Sequence, residues 1–504
     1  MVCLSHRARE TKSRDPLSRL RTGLTFDDVL LVPKYSTIKS RKDARITTNL
    51  TKRIELSIPI VSANMDSVTE YNMAIAVARE GGIGIIHRFM SVEEQAAQVS
   101  KVKRTESILI EKPYSLGESA RVADVRNLMQ TRNVGGILIV SDDGKLKGIV
   151  TTRDLRFHED PSTPVSQVMT KRSDLVVASK KTTIEQAREI MQKSKIEKLP
   201  LVDREDRLAG LITAKDILKR KQFPNATKDS KGRLRVGAAV GVKGDFLERA
   251  KQLEREEVDV LVLDIAHGHS QHALDAIRSI KKTVRDSVEL IAGNVATKEG
   301  AMDLIKAGAD SIKVGVGSGS ICITRIVTGS GVPQLTAIAD CAKATTDAGV
   351  TLIADGGIRN SGDLTKALVA GADSAMIGSL LAGTDESPGE IVFRGNYRYK
   401  VTRGMASASA RRDQLAAEKA SKEKGPESSQ ESVDLTDYVP EGVEAIVPYK
   451  GGAVSVIRQL AGGLRSGLSY CGASNLQELR RNGEFIMITD VGLKESLPHD
   501  VKEI

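Results

Sequence analysis

Residues 311–334 read SIKVGVGSGSICITRIVTGSGVPQ. The segment begins as an apolar, β-type run at Ser311–Val314 and then breaks into a loop with three glycines in five residues. Glycines this dense let backbone N–H and C=O groups approach an ion without interference from a Cβ atom. The loop then presents Cys322, which can act as a nucleophile if its thiolate is favoured. The competing interpretation is a glycine-rich turn with a buried cysteine.

Seven other apolar runs are similar to Ser311–Val314, and a plausible helix follows each of them. Adjacent runs start roughly 20–40 residues apart, which is the span of one βα unit, with a single exception. Continuous apolar runs are typical of parallel strands buried on both faces. Eight such units predict an α/β fold, a (β/α)8 TIM barrel, whose chemistry lies on the loops after the strands. The seven runs are Ile58–Ala63, Ile83–Ile86, Val236–Val240, Val258–Asp264, Leu290–Gly293, Thr351–Ala354 and Ser374–Ile377.

The exception is an interval of roughly 150 residues between the second and third runs, far more than one crossover requires. It contains an internal repeat, and each copy has two β-type runs joined by an acidic turn after a helical pattern. Such a unit cannot bury its apolar face alone, so the pair should form one small inserted domain. The predicted domains are a first barrel part (1–104), the inserted pair (105–222) and a second barrel part (223–504). The copies are Val134–Leu155 and Glu197–Leu218, and the helical patterns are Val122–Arg132 and Thr183–Ser194.

Composition and charge exclude several classes of protein. The chain has 504 residues, enough for more than one domain, and a formal net charge of +10 that is spread along the sequence. Basic runs interleaved with aromatic residues are missing, so we expect an anionic small substrate and no nucleic acid. No apolar stretch approaches the ~18 residues of a membrane span, and the polar N-terminus does not resemble a secretory signal. The four cysteines (3, 322, 341 and 471) show no paired spacing, which indicates a reducing cytoplasm and no disulfide framework or zinc.

Polar and glycine-rich loops follow several of the predicted strands. Asp264 ends one strand, Asn294 follows the next, and Asp355 begins a DGG sequence after a third. Gly378 and Ser379 follow the last strand. Glycine-bounded amides on the last two loops of such a barrel usually bind a phosphate. Asp355 can accept two ribose hydroxyls or, equally, can stabilise a turn.

Taken in order, the motifs of this chain resemble one family, inosine monophosphate (IMP) dehydrogenase, with guanosine monophosphate (GMP) reductase as its sister. The resemblance extends from Thr22 to Asp500, and a repeat inserted at this point of the barrel is the family's layout. It implies NAD-dependent oxidation of IMP to xanthosine 5'-monophosphate, the committed step of guanine nucleotide synthesis. The motifs are GLTFDDVLLVP (Gly23–Pro33), the cysteine loop, IADGGIRNSGD (Ile353–Asp363), AGTDESPGE (Ala382–Glu390), RGMAS (Arg403–Ser407), VPEGVEAIVPYKG (Val439–Gly451), GGLRSGLSYCGA and ESLPHD.

The resemblance also implies roles for individual residues in catalysis and substrate binding. Cys322 would attack C2 of the purine and form a covalent thioimidate, which water hydrolyses. Thr324 would help to activate that water. The substrate residues would be Ser320, Gly357, Gly378 and Ser379 for the phosphate, Asp355 for the ribose, and Met405 and Glu441 for the base edge.

A dinucleotide site, a cation site and a tetramer follow from the same resemblance. Asp264, Asn294 and Arg325 would face the NAD. Backbone carbonyls of Gly317, Gly319 and Cys322 match the family's monovalent-cation (K+) site. Glu495, Ser496 and Leu497 of a neighbouring subunit would complete it, which implies a homotetramer.

The inserted repeat resembles a tandem pair of cystathionine-β-synthase-type (CBS) domains. In other proteins these domains bind adenine nucleotides, so an adenine or guanine nucleotide is the expected ligand. The residues that match the ribose-binding positions are Thr151, Asp154, Thr213 and Asp216. The alternative is a degenerate pair that binds no ligand.

The chain departs from the dehydrogenase pattern in two places, one inside the flap region, 403–450, and one just before it. The charged segment Arg411–Asp437 predicts either a mobile flap over the barrel mouth or a disordered surface loop. It lacks the family's Arg-Tyr pair, whose arginine activates water, so we infer that Arg411 or Arg412 substitutes. Thr402 stands where the family often has a phosphate-binding tyrosine. These departures keep two alternatives open, a GMP reductase using NADPH and a catalytically idle nucleotide-sensing scaffold.

Overall fold

The computed structural model describes residues 20–105, 109–110, 113–132, 134–156, 158, 160–215, 217, 222–422 and 438–498. For residue 109 and residues 416–422 it describes the backbone alone.

The strands among the described residues are short. In chain order they are β1 (Val29–Leu31), β2 (Thr48–Asn49), β3 (Glu55–Leu56), β4 (Ile60–Ser62), β5 (Ile83–Ile86), β6 (Leu109–Ile110), β7 (Ser115–Gly117), β8 (Gly136–Val140), β9 (Leu146–Thr151), β10 (Thr170–Lys171), β11 (Ala178–Ser179), β12 (Lys198–Val202), β13 (Leu208–Thr213), β14 (Gly237–Val240), β15 (Val260–Asp264), β16 (Glu289–Val295), β17 (Ser311–Val314), β18 (Thr351–Asp355), β19 (Ser374–Ile377), β20 (Ile391–Arg394), β21 (Tyr397–Arg403), β22 (Glu444–Pro448) and β23 (Phe485–Met487).

Most helices alternate with these strands. In chain order they are α1 (Tyr71–Arg79), α2 (Val92–Thr105), α3 (Val122–Arg132), α4 (Val165–Val168), α5 (Ile184–Ser194), α6 (Phe246–Arg255), α7 (Gln271–Thr283), α8 (Lys298–Ala307), α9 (Thr324–Thr328), α10 (Gln334–Ala348), α11 (Ser361–Val369), α12 (Ser379–Ala382), α13 (Ala408–Lys422), α14 (Ala453–Tyr470), α15 (Leu476–Asn482) and α16 (Asp490–Glu495). No helix among the described residues is long and apolar enough to cross a membrane.

Eight parallel strands close into a barrel in the order β14-β15-β16-β17-β18-β19-β4-β5. Each of the eight predicted runs overlaps one of these strands, so the predicted TIM barrel is confirmed. Two strands run further toward the mouth than predicted, since β16 continues to Val295 and β18 to Asp355. This extension places Asp355 in hydrogen-bonded sheet, whereas Asn294 lies at a register shift of β16, between Gly293 and Val295.

The barrel strands fold because nearly all of their side chains are apolar and buried. All four residues of β5, β14 and β19 are buried. Burying one such Val or Ile side chain stabilises the fold by roughly 1.5–3 kcal/mol. Lys313 is the exception in β17, a lysine that is only 2% exposed inside an otherwise apolar run.

The inserted repeat forms two four-stranded sheets of matching topology, β7-β8-β9-β10 and β11-β12-β13-β6. The edge strand β6 comes from the chain before the first copy and pairs with β13 of the second copy. A shared apolar cluster, which includes Leu138 and Leu211, joins the two sheets. Both predicted helical patterns are confirmed as α3 and α5, and Thr183 caps α5 by accepting from the N–H of Gln186. The domain boundaries themselves stay a prediction.

The segment Arg411–Asp437, predicted as a flap or an irregular loop, begins as a helix. Helix α13 covers its first part, while residues 423–437 lie outside the described residues. The many alanines and lysines here favour a helix once the chain leaves the sheet β20-β21-β22.

Candidate active site

The cysteine loop starts with a glycine that no other residue could replace. Gly315 follows β17 with φ +152°, and a Cβ atom there would lie 1.9 Å from the carbonyl oxygen of Asp355. The N–H of Gly315 donates to the carbonyl of Val295 (2.9 Å). The loop therefore leaves the barrel in close contact with the carboxyl ends of the neighbouring strands.

Cys322 is the first member of a three-residue hydrogen-bonded chain. Its Sγ lies 3.2 Å from Thr324 Oγ1, and this hydroxyl donates to Glu441 Oε2 at 2.7 Å. Because a threonine hydroxyl has one proton, it accepts at the sulfur side while it donates to the carboxylate. The arrangement can move a proton between the thiol, or a water bound beside it, and Glu441.

Backbone pairing places Glu441 at the cysteine loop. The N–H of Ile323 donates to the Glu441 carbonyl (2.8 Å), and the N–H of Val443 donates to the Ile321 carbonyl (3.0 Å). A third segment packs against this pairing, because Gly404, just after β21, donates its N–H to the Val443 carbonyl (3.0 Å), and a Cβ on Gly404 would lie 2.9 Å from the Gly442 Cα. The glycines of these two motifs thus permit a close approach beside the proton relay.

One cavity collects most of the predicted substrate residues. Ser320, Asp355, Gly357, Gly378 and Ser379 all line it. Other lining residues, which the sequence analysis did not assign to the substrate, include Met65, Ile321, Met376 and Thr402. Cys322 follows the lining residue Ile321 directly, so the cavity opens beside the relay.

A buried cation holds two of the predicted polar residues together. Lys313 Nζ donates to Asp355 Oδ2 (2.7 Å) and to Asn294 Oδ1, and lies 3.7 Å from Asp264 Oδ1. Asn294 Nδ2 donates to Asp355 Oδ2 as well (2.9 Å). Burial by itself would lower the pKa of Lys313, but the carboxylates of Asp355 and Asp264 outweigh it and raise that pKa. Lys313 therefore carries its charge in the interior.

Sequence reasoning missed Lys313, although a signal was present. A lysine inside a mostly apolar, buried strand is costly to bury unless oppositely charged groups lie beside its ammonium group. That cost could have identified Lys313 as a site residue.

The loop after β4 and the end of β21 meet through polar side chains. Arg403 bridges Asp66 (Nη2 to Oδ2, 2.6 Å) and Asp413 of α13 (Nη1 to Oδ2, 2.6 Å). The N–H of Asp66 donates to the sulfur of Met405 at 3.5 Å. The arginine thereby connects the flap helix to the rim of the cavity and sets Met405 at the same rim.

Comparison with known proteins agrees with this geometry. The family model for the IMP dehydrogenase / GMP reductase domain matches residues 23–499. An inosine-5'-monophosphate dehydrogenase of Nitrosopumilus maritimus is 55% identical over 95% of this chain and 99% of its own length. The chain belongs to the IMP dehydrogenase / GMP reductase family.

Other members of this family confirm the breadth of the match. An inosine-5'-monophosphate dehydrogenase of Bacillus subtilis is 52% identical over 96% of both chains. Among solved structures, a GMP reductase from Trypanosoma brucei in complex with guanosine 5'-monophosphate is 43% identical, with a TM-score of 0.89, covering 96% of this chain and 99% of that one.

The two flap arginines differ in their surroundings. Arg412 is exposed, whereas Arg411 is partly buried and donates from Nη1 to Gln414 Oε1 (2.8 Å). Burial raises the pKa of Tyr438 above its usual value, with Arg411 opposing and Glu441 adding to that rise. Arg411 and Glu441 thus both act electrostatically on Tyr438.

The hydroxyl of Thr402 lines the cavity and has a partner. It lies 3.0 Å from the Ser67 hydroxyl, which accepts from the Arg403 N–H (3.3 Å). Both side chains are buried, with exposed fractions of 2% for Thr402 and 7% for Ser67. Thr402 is shorter than the tyrosine that the family often has here, but it still lines the cavity, and Ser67 stabilises its position.

The Arg325 side chain stabilises the cysteine loop through hydrogen bonds to backbone carbonyls. Its Nε donates to the Val316 carbonyl (3.1 Å) and Nη2 to the Val332 carbonyl (2.5 Å). Its aliphatic stem packs against Gly317, where a Cβ would lie 2.5 Å from Arg325 Cγ. A role toward a dinucleotide stays a prediction for Arg325.

The carbonyls predicted to bind a cation lie on one tight turn. Gly317 has φ +72°, and the Gly319 carbonyl accepts from the Cys322 N–H (3.1 Å). The tail residues Glu495, Ser496 and Leu497 form the end of α16 and the turn after it, and α16 packs against the 3-10 helix Phe26–Asp28. Whether a second subunit brings its tail to this turn stays a prediction.

In the inserted repeat, the predicted ribose residues are partly described. The N–H and hydroxyl of Thr151 both donate to Asp154 Oδ2, each at 2.7 Å. Thr213 ends β13, and Asp216 lies outside the described residues. The nucleotide site of the repeat therefore stays a prediction.

Proposed function

We propose that this chain catalyses the oxidation of IMP to xanthosine 5'-monophosphate, with NAD as the hydride acceptor. The enzyme class follows from relatives named inosine-5'-monophosphate dehydrogenase at about half identity over nearly the whole chain. The observation that supports it most is structural: a cavity lined by the phosphate and ribose residues opens beside Cys322, Thr324 and Glu441.

Substrate binding uses the cavity wall. Gly357, Gly378, Ser379 and Ser320 present backbone N–H groups and hydroxyls to the phosphate, and Asp355 accepts the ribose hydroxyls. Met405 and Glu441 meet the base edge, which sets C2 of the purine beside Cys322. A phosphate held by neutral donors suits a nucleotide and makes the free nucleoside a poor substrate.

The first chemical step forms a carbon–sulfur bond. The Cys322 thiolate attacks C2, which becomes tetrahedral, and the C2 hydrogen then leaves as a hydride with its bonding electrons. NAD supplies the acceptor for that hydride when it is bound. The nucleotide remains attached to Cys322 as a thioimidate.

The second step hydrolyses the thioimidate. Water adds to C2, one of its protons passes through Thr324 to Glu441, and the other stays on the nucleotide. The C2–sulfur bond then breaks with its electrons on sulfur, and the proton on Glu441 returns through Thr324 to restore the thiol. A carboxylate is a competent base at neutral pH, whereas an arginine with its usual pKa above ~12 is a poor one. Arg411 is the second candidate for the base, because it is partly buried and acts on Tyr438 together with Glu441, whereas Arg412 is exposed.

The residues present fit a dinucleotide and a monovalent cation. Asp264 and Asn294, both held by Lys313, offer acceptors for ribose hydroxyls of NAD, with Arg325 behind the loop. Carbonyls of Gly317, Gly319 and Cys322 would hold K+, and Glu495, Ser496 and Leu497 of a neighbouring subunit would complete the shell in a homotetramer. The protein would work in the cytoplasm, and its CBS pair would bind an adenine or guanine nucleotide.

GMP reductase is the second candidate, and two observations favour it. The flap lacks an adjacent Arg-Tyr pair, and a solved GMP reductase aligns over nearly the whole chain. This enzyme would use NADPH to convert GMP to IMP with release of ammonia, and would need no base for water.

An absorbance assay distinguishes the two candidates. With IMP, NAD and potassium, steady NADH formation supports the dehydrogenase. A single-turnover burst that stalls would show hydride transfer without efficient hydrolysis. NADPH oxidation with GMP and no NADH from IMP would replace the proposal with the reductase.

A further inference from the structure

Lys313, the lysine in β17, lies between two carboxylates that the proposed function assigns to different ligands. Asp355 would bind the substrate nucleotide and Asp264 the dinucleotide. Lys313 Nζ is 2.7 Å from Asp355 Oδ2, on the cavity that would hold the nucleotide, and 3.7 Å from Asp264 Oδ1. Asp355 and Asp264 are 22% and 19% exposed at the side chain, whereas Lys313 is 3% exposed. The cation thus lies beneath both carboxylates and cannot itself reach a ligand.

Strands β16 and β17 approach closely beside this side chain. Lys313 pairs in register with Gly293 of β16, where a Cβ atom would lie 2.4 Å from the Lys313 carbonyl oxygen and 2.7 Å from its Cβ. The ammonium group is buried at this close approach, so its desolvation is costly unless the carboxylates beside it compensate.

The charges at the mouth alternate in sign. Arg88, on the loop after β5, has Nε 4.0 Å from Asp264 Oδ2, Lys313 lies between Asp264 and Asp355, and Asn294 bonds to both Lys313 and Asp355. Without the Lys313 ammonium group, the carboxylates of Asp355 and Asp264 would lose the cation that they share. Each would then turn toward water or take up a proton.

We propose that Lys313 is a positioning residue that orients Asp355 and Asp264 as one unit, so that the riboses of the nucleotide and of the dinucleotide bind in a set relative orientation. The inference rests on the proposed function, because it assigns one ribose to each carboxylate. Lys313 hydrogen-bonds to Asp355 Oδ2 and forms an ion pair with Asp264 Oδ1 on the inner side, so each carboxylate keeps an oxygen that faces away from the ammonium group. Alignment of the two riboses sets C2 of the purine against the acceptor ring.

The test compares Lys313→Met with Lys103→Met. Lys103 is a matched control, since it is also a buried lysine (4% exposed) between two aspartates, Asp229 at 3.1 Å and Asp259 at 2.6 Å. Asp259 directly precedes β15, so this cluster lies at the opposite end of the barrel. Both variants should lower the Tm, because each leaves carboxylates without their cation.

Only Lys313→Met should raise the KM for both IMP and NAD, by about tenfold or more, which is ~1.4 kcal/mol of binding for each. Lys313→Arg should recover part of each loss. KM values for both ligands within about twofold of wild type, or a rise for one ligand alone, would overturn the proposal.

A double-mutant cycle tests the coupling directly and does not depend on turnover. Asp264→Asn should weaken IMP binding in calorimetry by about threefold when Lys313 is present and leave it unchanged in the Lys313→Met background. Additive effects would overturn the coupling. Lys313→Gln, which also removes the charge, serves in place of Lys313→Met if the latter does not fold. Absence of NADH formation by the wild type would refute the proposed function, while calorimetry with IMP or GMP would still test Lys313.

Discussion

At the scale of single residues, the proposed chemistry depends on a thiol, a hydroxyl and a carboxylate joined at 3.2 Å and 2.7 Å. Glu441 meets Thr324 although they lie 117 positions apart in the chain. In the proposed mechanism this carboxylate is the base of the hydrolytic step. A flap arginine is then not required as the base at neutral pH.

Replacing the nucleophile should abolish turnover and spare binding. Cys322→Ala removes the sulfur that bonds to C2, whereas the phosphate and ribose contacts use other groups. We expect no NADH formation and near-normal IMP binding by calorimetry. Cys341→Ala is the control, because Cys341 is buried in α10, where burial raises its pKa to about 12. Substantial activity in Cys322→Ala would remove the thioimidate from the mechanism.

Replacing the carboxylate should separate the two chemical steps. Glu441→Gln keeps the shape but cannot take a proton, so hydrolysis should slow by about 10²-fold or more while the first hydride transfer stays fast. Rapid-quench experiments would show a burst of NADH and an accumulated thioimidate. Arg411→Ala and Arg412→Ala are the comparison. If Arg411→Ala shows the burst and Glu441→Gln does not, the arginine is the base.

At the scale of elements, the candidate site depends on three segments packed together. The cysteine loop pairs with residues 441–443 through backbone hydrogen bonds, and Gly404, just after β21, packs against Gly442. Helix α13 is tied to the same rim by Arg403. The position of Glu441 is thus a property of the packed segments rather than of its own rotamer.

A methyl group between these segments should misplace the base. In Gly442→Ala the new Cβ would lie 3.1 Å from the Gly404 Cα, so one segment must shift. We expect thioimidate hydrolysis to fall more than hydride transfer, again measured by rapid quench. Gly462→Ala in α14 is the control, since nothing lies within 4 Å of its Cβ and alanine should stabilise that helix by up to ~1 kcal/mol. Equal effects on both steps would contradict the idea.

At the scale of the whole molecule, the junctions of the inserted repeat and the candidate active site lie at opposite ends of the barrel. Helix α2 leads into the repeat, and Lys103 near its end bonds to Asp229, just after the chain returns. Both junctions therefore lie close together. The candidate site, by contrast, lies at the carboxyl ends of the barrel strands, from β15 to β19 and on to β4.

Deletion of residues 105–220 with a short linker should leave a folded, active barrel. The two ends are already joined through Lys103 and Asp229, so a short loop can close them. We expect kcat/KM for IMP to stay close to that of the full chain. A deletion that also removes Lys103 is the control and should fail to fold well, because Asp259 would lose its partner. Loss of folding with Lys103 retained would show that the repeat is structural.

Much of this architecture is local in origin and could be predicted. The eight strand runs were recognisable because a strand buried on both faces must be apolar throughout, and that requirement is visible in four to seven consecutive residues. The helix patterns of the repeat were visible because their apolar residues recur at helical spacing. The helix at the start of the flap was not predicted, because the charged, apolar-poor composition of Arg411–Asp437 indicated a flap or loop, although its alanines favour a helix.

The sequence by itself determined the barrel, the interrupting repeat, the cysteine on a glycine loop and the family, since each is written in contiguous residues. Only the tertiary structure decided which distant groups meet. Lys313 finds Asp355 42 residues away, and Thr324 finds Glu441 117 residues away. Such contacts depend on where parallel strands end around a closed barrel, and no local pattern of residues records that geometry.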